Sequence, residues 1–211
     1  MKNSKASAFG ILGVVLFIIA TILGGLQIPG YSHTSQLISE SYAIGTPYGV
    51  LLRFFLFIPS GIFIFLFGIF AIKQVGNSSL GVLGLLCVSL FYGLGTVVVS
   101  LFPCDEGCGK ELIDPSISQV IHNLTGLLTY LTVPLSLILI GVDSKKWIRG
   151  KNISISSFIC GSISIIFVGV LSGDLHSNHA GLYQRIVEGS ILTWIILCSV
   201  YFIRQQRSIK I

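Results

Sequence analysis

The chain has 211 residues, of which 53% are hydrophobic and 10% are charged, and its mean hydropathy is +0.90. Soluble domains carry about a quarter charged residues, so this composition excludes a soluble globular domain and predicts a multi-pass membrane protein. The net charge of +5 would favour a nucleic-acid partner in a soluble protein. Here it is better explained by membrane topology, because the basic residues lie in particular loops.

Six apolar runs are each long enough to cross ~30 Å of hydrocarbon as a helix. They predict an all-α integral membrane bundle, built as a single domain of six transmembrane helices. The first run follows Lys2 and Lys5 as a signal peptide would, but it is longer than a signal sequence and lacks a small-residue cleavage site, so we expect it to be retained. The predicted spans are residues 9–28, 49–72, 80–102, 120–142, 153–171 and 182–203.

Lys and Arg are distributed unevenly between the loops. Ten of them lie in the N-terminal segment, the second and fourth loops and the C-terminal tail, whereas the other three loops contain only Lys110. Arg53 and Arg185 lie just inside spans that begin on the same side as Lys110. Because cytoplasmic loops are enriched in Lys and Arg, we predict cytoplasmic termini in a plasma (inner) membrane.

The three loops predicted to be extracytoplasmic contain most of the titratable groups. The same outer face holds all four histidines, with His122 at the start of the fourth span, and six of the eight acids. The densest stretch is a polar island from Phe102 to Asn123, between the third and fourth spans. Ionisable residues in or beside spans usually have partners or line a wet cavity. We therefore predict a polar pocket at the outer leaflet, roofed by the island and the first and last outer loops. Its candidate residues are Ser35, Glu40, Arg53, Asp105, His122, Arg185 and Glu188.

Cys104 and Cys108 lie in the island, on the predicted oxidising side of the membrane. A disulfide across this short gap is chemically allowed there, and Gly107 permits the tight turn that it needs. We expect the bond to hold the island above the membrane. Free thiols or a pair of ligands for a soft metal are the alternatives.

The two arginines have three possible roles. Each side chain can extend to lipid phosphates at the interface, or its planar fork can bind the phosphate or carboxylate of a ligand. Arg185 can instead pair with Glu188, since residues three apart share a helix face.

Several strings resemble one known family. The motif FPCDEGC at Phe102–Cys108 and the histidine in SQVIHNLTG at Ser118–Gly126 are similar to the DUF998 family of bacterial and archaeal membrane proteins. SQLISE at Ser35–Glu40 and GLYQRI at Gly181–Ile186 fit the same family. The resemblance covers about residues 8–204 and implies six spans. The family's function is unassigned, so it implies no catalytic residues.

The histidines allow an enzymatic alternative. Asp105, His122, His176 and His179 supply three imidazoles and a carboxylate, an acceptable set for zinc with an open position. Glu40 or Glu188 could then act as general base, and Arg53 or Arg185 could stabilise an oxyanion. The residue types are similar to those of alkaline ceramidase and progestin-receptor-like membrane hydrolases. Those proteins have seven spans and an H-x-x-x-H pair in a helix, whereas this chain has six spans and H-x-x-H in a loop.

Three functions follow from these patterns. The leading hypothesis is a pocket that binds a membrane lipid or small amphiphile, without turnover. A zinc-dependent hydrolase or transferase acting on a lipid is the first alternative. A small transporter is the second, although the spans lack the central chain of charges that proton-coupled pumps carry. The sequence contains no phosphate-binding loop of the Walker type, no G-x-S-x-G elbow and no H-E-x-x-H motif.

Overall fold

The computed structural model describes residues 2–76, 78–109 and 113–209, and the side chains of residues 5–205 within these ranges. Lys110, Glu111 and Lys210 contribute to the charge pattern of the sequence but lie outside the described residues.

Six long helices dominate the described ranges, and each is long and apolar enough to cross a membrane. The predicted all-α bundle of six such helices is therefore confirmed. The first helix ends two residues before the predicted span, because Pro29 disfavours helical geometry at the preceding residue. The helices are α1 (Lys2–Leu26), α2 (Gly49–Ile72), α3 (Ser79–Leu101), α4 (Ile117–Ser144), α5 (Lys151–Gly173) and α6 (Ala180–Ile209).

The helices form a ring in chain order. Each packs mainly against its neighbours in sequence, and α6 closes the ring by packing on α1. Large apolar side chains fill the centre, where Phe67 of α2 meets Trp194 of α6 edge-on at 6.3 Å. Both side chains are completely buried.

Two helices contain a widened π-helical turn on the way through the bundle. In α2 the turn spans Arg53–Phe57, and the N–H of Ile58 bonds to the carbonyl of Arg53. It ends two residues before Pro59, whose ring would otherwise clash with a carbonyl in the preceding turn. The second widened turn, Val88–Leu94, carries Tyr92 of α3. π-Bulges of this kind often accompany functional sites.

The bundle has two different ends. We call the end that carries residues 27–48, 102–109, 113–116 and 174–179 the loop end, and the opposite end, with residues 73–76, 78 and 145–150, the basic end. At the basic end the carboxylate of Asp143 accepts hydrogen bonds from Ser78 Oγ at 2.6 Å and Gly81 N at 3.0 Å, and it pairs with Lys146 at 2.8 Å. The Trp147 indole donates to the same Ser78 hydroxyl at 2.8 Å. This network joins α3 to α4.

Candidate ligand-binding site

The site is built around Glu188, which lies two turns into α6, roughly 12 Å along the helix from its loop-end start. Its side chain is 8% exposed. The hydroxyl of Tyr92 donates to one carboxylate oxygen at 2.6 Å, and the hydroxyl of Tyr130 donates to the other at 2.8 Å. Within the described ranges no Lys, Arg or His lies at ion-pair distance from this carboxylate.

A cavity of about 100 Å³ surrounds Glu188, and we call it the inner chamber. Its wall combines aromatic rings with a few polar groups, contributed by α1, α2, α3, α4, α6 and the loop before α2. Water occupies ~30 Å³ per molecule in the liquid, so the chamber suits a small headgroup rather than a large ligand. Its wall includes Phe17, Ser39, Tyr42, Phe57, Tyr92, His122, Gly126, Tyr130, Gln184 and Glu188.

The hydroxyl of Tyr42 has no hydrogen-bond partner in the described part of the chain, although the residue is only 5% exposed and lines the chamber. Its ring packs against Phe57 with centroids 4.6 Å apart. Burial raises the pKa of Tyr42, and the charge of Glu188 raises it further. The phenol therefore stays neutral and presents both a donor and an acceptor.

His122 offers a second open polar atom. Its Nδ1 lies 3.2 Å from the carbonyl of Val99 and 3.1 Å from that of Phe102. Because both neighbours are acceptors, Nδ1 carries the proton, and Nε2 of the neutral ring is an acceptor. Nε2 has no partner among the described residues. The side chain is 8% exposed and borders the chamber.

A second cavity of about 300 Å³, the outer chamber, adjoins the first towards the loop end. The two cavities share Ser39, His122, Gly126, Tyr130 and Gln184 in their walls. The outer chamber adds polar side chains of α4 and apolar side chains near the end of α5. Its further lining residues include Gln119, Asn123, Leu127, Leu171, Ser172 and Leu175.

The loop between α1 and α2 roofs the inner chamber and is fastened to α6. Gln184 Oε1 accepts a hydrogen bond from the N–H of Ile38 at 2.6 Å. The next residue, Arg185, donates from Nη1 to the carbonyls of His33 and Gln36, each at 2.7 Å, and from Nη2 to the Tyr31 hydroxyl at 2.9 Å. Burial raises the pKa of Tyr31 despite the nearby Arg185 charge.

The island forms another part of the roof. The sulfur atoms of Cys104 and Cys108 lie at disulfide distance, and both residues are buried against Ala43 of the first loop. The Asp105 carboxylate accepts two hydrogen bonds from Ser116, the residue that caps α4. These hydrogen bonds lower the pKa of Asp105.

The structure brings only part of the predicted pocket together. His122 and Glu188 line the inner chamber. Glu40 accepts from the N–H of Leu37 within its own loop, and the N–H of Ser35 donates to Ser32 Oγ. Asp105 bonds to Ser116, as described above. Neither chamber is bordered by Glu40, Ser35 or Asp105.

Both arginines bond to backbone carbonyls, and Arg185 also borders a separate cavity of about 170 Å³ together with Glu188. Arg185 does not pair with Glu188, because its Nη atoms are occupied by loop carbonyls and Tyr31. Arg53 donates from Nε to the carbonyl of Gly49 at 3.3 Å, and Arg185 donates from Nη1 to the carbonyl of Gly181, also four residues earlier, at 2.9 Å. A guanidinium fork that holds a ligand stays a prediction for both residues.

The zinc set of Asp105, His122, His176 and His179 is not assembled. No group of three or more His, Cys, Asp or Glu side chains in residues 2–76, 78–109 and 113–209 is placed to hold a metal ion. His179 stacks on Tyr183 in an exposed loop, whereas His122 is buried against backbone carbonyls of α3 and the residue after it. The short loop before α6 keeps its two histidines outside the bundle.

Sequence reasoning missed the tyrosines of the site. Tyr92 and Tyr130 lie inside apolar spans, and a buried tyrosine hydroxyl needs a partner. That requirement could have linked them to Glu188, an acceptor within a span. Gln184 could also have been found, because it lies one turn before Glu188 on the same helix face.

A family model described as "Protein of unknown function (DUF998)" matches residues 11–201. The chain belongs to the DUF998 family. This match covers most of the chain, and it includes the island, His122 and Glu188. No curated protein and no solved structure matches the chain.

Proposed function

We propose that this DUF998 protein binds a lipid or small amphiphile in the two chambers at its loop end. We further propose that it lies in the plasma (inner) membrane with the loop end on the extracytoplasmic side. The distribution of Lys and Arg supports this orientation, because ten of the thirteen fall in segments assigned to the opposite side.

The observation that carries the proposal is a buried polar chamber with an apolar exit. Polar groups of Tyr42, His122 and Glu188 border the inner chamber. Leu127 borders the outer chamber and is also 55% exposed on the outside of α4. An amphiphile can therefore place its headgroup inside while its chain leaves beside Leu127. This combination matches the way in which ligand sites pair apolar walls with a few oriented polar groups.

No second function is favoured by a specific observation. An enzyme using zinc would need the ligand set that the fold separates. A transporter would need a polar route from the chambers to the basic end. Along that direction the bundle centre is filled by the completely buried side chains of Phe67, Leu85, Leu137 and Trp194.

A larger side chain that fills the cavity tests the proposal. Gly126 borders both chambers, and a Cβ added there meets no atom within 4 Å. The variant Gly126→Leu should therefore fill the cavity while keeping the helix, since Leu is a better helix former than Gly. Gly169→Leu on α5 is the matched control, because its added Cβ also meets nothing within 4 Å and it borders neither chamber.

The readouts are thermal unfolding in detergent and native mass spectrometry, each with phosphatidylethanolamine and with phosphatidylglycerol. The unmodified protein and Gly169→Leu should show stabilisation that depends on the headgroup, together with a retained lipid. Gly126→Leu should lose both. Equal lipid retention and equal stabilisation in all three proteins would refute the pocket.

A further inference from the structure

We infer that the inner chamber receives an organic ammonium group, because it places a buried carboxylate that lacks a protein cation inside an aromatic cage. This inference rests on the proposed function and names the chemistry of the ligand's headgroup. The ammonium group could belong to a lipid or to a small free amine, and the probes below distinguish the two.

The buried carboxylate of Glu188 favours a cationic ligand. Burying an ionised carboxylate is costly unless it is paired or well hydrogen-bonded. Glu188 receives two tyrosine hydroxyls but no cation from the described residues. Arg185, one turn away, is held by the loop carbonyls, and Arg53 does not border the chamber. A cation from a ligand would complete the site.

The aromatic wall of the inner chamber favours an organic cation. Five aromatic rings border the inner chamber, on α1, α2, α3, α4 and the first loop. Phe17 and Phe57 meet edge-on at 5.4 Å, and Phe17 also stacks on Tyr92 at 6.2 Å. The faces of aromatic rings carry partial negative charge and attract cations, most strongly where water is excluded. Cages of this kind are the usual receptors for organic ammonium groups.

Hydrogen-bond acceptors without protein partners also favour an ammonium group. Tyr42 and His122 both border the chamber, and neither the Tyr42 oxygen nor His122 Nε2 has a protein partner among the described residues. Both can accept N–H bonds, as can the carboxylate of Glu188. The wall of the chamber therefore combines acceptors with aromatic rings. An anionic headgroup would instead be brought next to Glu188, without any Lys or Arg from the described lining to neutralise it.

Inorganic cations fit the chamber poorly. Calcium and magnesium require six or more oxygen ligands, and several carboxylates usually supply part of them. Glu188 is the single carboxylate among the described lining residues. The apolar rings that make up most of the wall cannot replace the missing oxygens, whereas they favour the diffuse charge of an organic cation.

The test compares probes that share a chain and differ in head charge: decylammonium, decanol and decanoate. Binding to the purified protein in nanodiscs is measured by calorimetry at pH 7. The signal from Gly126→Leu, whose cavity is filled, is subtracted because it reports non-specific partition of the probe into the lipid. Decylammonium should bind at least about tenfold more tightly than decanol, and decanoate should bind most weakly. In Glu188→Gln the preference for decylammonium over decanol should disappear.

The outcomes separate the two proposals. If decanol or decanoate binds as tightly as decylammonium, and Gly126→Leu abolishes that binding, the ammonium inference fails and the amphiphile pocket stands. If no probe distinguishes the unmodified protein from Gly126→Leu, both proposals fail. The comparison of probes on the unmodified protein decides the question even if Glu188→Gln does not fold. Ethanolamine and tetramethylammonium, which lack a chain, should bind measurably only if the ligand is a free amine.

Discussion

Gly181 lies directly against the backbone of Gln36. A Cβ added at Gly181 would lie 2.2 Å from the carbonyl oxygen of Gln36, a distance far inside van der Waals contact. Next to this contact, the N–H of Leu182 donates to the carbonyl of Thr34 at 2.8 Å. The first loop therefore docks on the start of α6 backbone to backbone, and this leaves no room for a side chain at Gly181.

This contact makes Gly181→Ala destabilising. We expect the free energy of unfolding to fall by about 1–3 kcal/mol, the usual cost of forcing an extra carbon into a packed site. Amide exchange across residues 34–38 should accelerate. Gly189→Ala on the same helix is the control, because its added Cβ meets nothing within 4 Å and alanine is the better helix former. Equal stability of the two variants would contradict the docking geometry.

Arg185→Lys should loosen the same loop without unfolding the bundle. A lysine ammonium cannot reproduce the planar fork that bonds to the carbonyls of His33 and Gln36 and to Tyr31. We expect faster amide exchange in residues 31–41, measured by mass spectrometry. Arg53→Lys should leave that exchange unchanged, since the hydrogen bond of Arg53 within the described residues runs to Gly49 on its own helix. Faster exchange in both variants would point to a general loss of stability.

The five cysteines should divide into a pair and three single thiols. The sulfur atoms of Cys104 and Cys108 lie at bonding distance, whereas Cys87, Cys160 and Cys198 are free. Alkylation of protein denatured without reductant should add three groups, and alkylation after reduction should add five, as read by intact mass. Five additions before reduction would show that the pair is not oxidised. In that case the double variant Cys104→Ala, Cys108→Ala should be no less stable than the reduced protein.

Acid should weaken the attachment of the island to α4. The hydrogen bonds from Ser116 lower the pKa of Asp105 below its ordinary value of 3.8. The ionised carboxylate therefore stabilises the folded state above that value, and this contribution is lost as the pH falls through the lowered pKa. Amide exchange at Ser116, corrected for its intrinsic pH dependence, should rise as the pH is lowered from 5 towards 2. Asp105→Asn should remove this pH dependence, and an unchanged profile in that variant would contradict the assignment.

The orientation can be tested with two introduced thiols. Ile113→Cys places an exposed thiol at the loop end, and Ile148→Cys places one at the basic end. A maleimide that cannot cross membranes should label Ile113→Cys in intact cells, and it should label Ile148→Cys only after the cells are lysed. The parent protein reports background labelling. The reverse pattern would place the chambers on the cytoplasmic side.

Composition and hydropathy were enough to predict the all-α bundle. Each helix in lipid must satisfy its own backbone hydrogen bonds, so a run of about 20 apolar residues has few alternatives to a spanning helix. Even the early end of α1 could have been predicted from Pro29. The resemblance of FPCDEGC and the string around His122 to DUF998 likewise agrees with the family match over residues 11–201.

The site was only half predictable, because side-chain direction depends on packing between distant helices. His122 and Glu188 stood out as polar groups in apolar surroundings, and both border the inner chamber. Arg185 looked equally functional, yet its hydrogen bonds run to a loop almost 150 residues earlier in the chain. Tyr42 looked like an ordinary loop residue. Its place beside Glu188 depends on how the first loop folds over α6, a contact that no local pattern encodes.

The anchoring of the first loop on α6 has a consequence for biosynthesis. Ile38 leaves the ribosome early, but its hydrogen-bond acceptor, Gln184, is synthesised 146 residues later. The backbone groups of this loop therefore stay hydrated until α6 has been inserted. A nascent chain arrested before α6 would therefore carry the first loop without its anchor, and the roof of the inner chamber is completed only when α6 has been inserted.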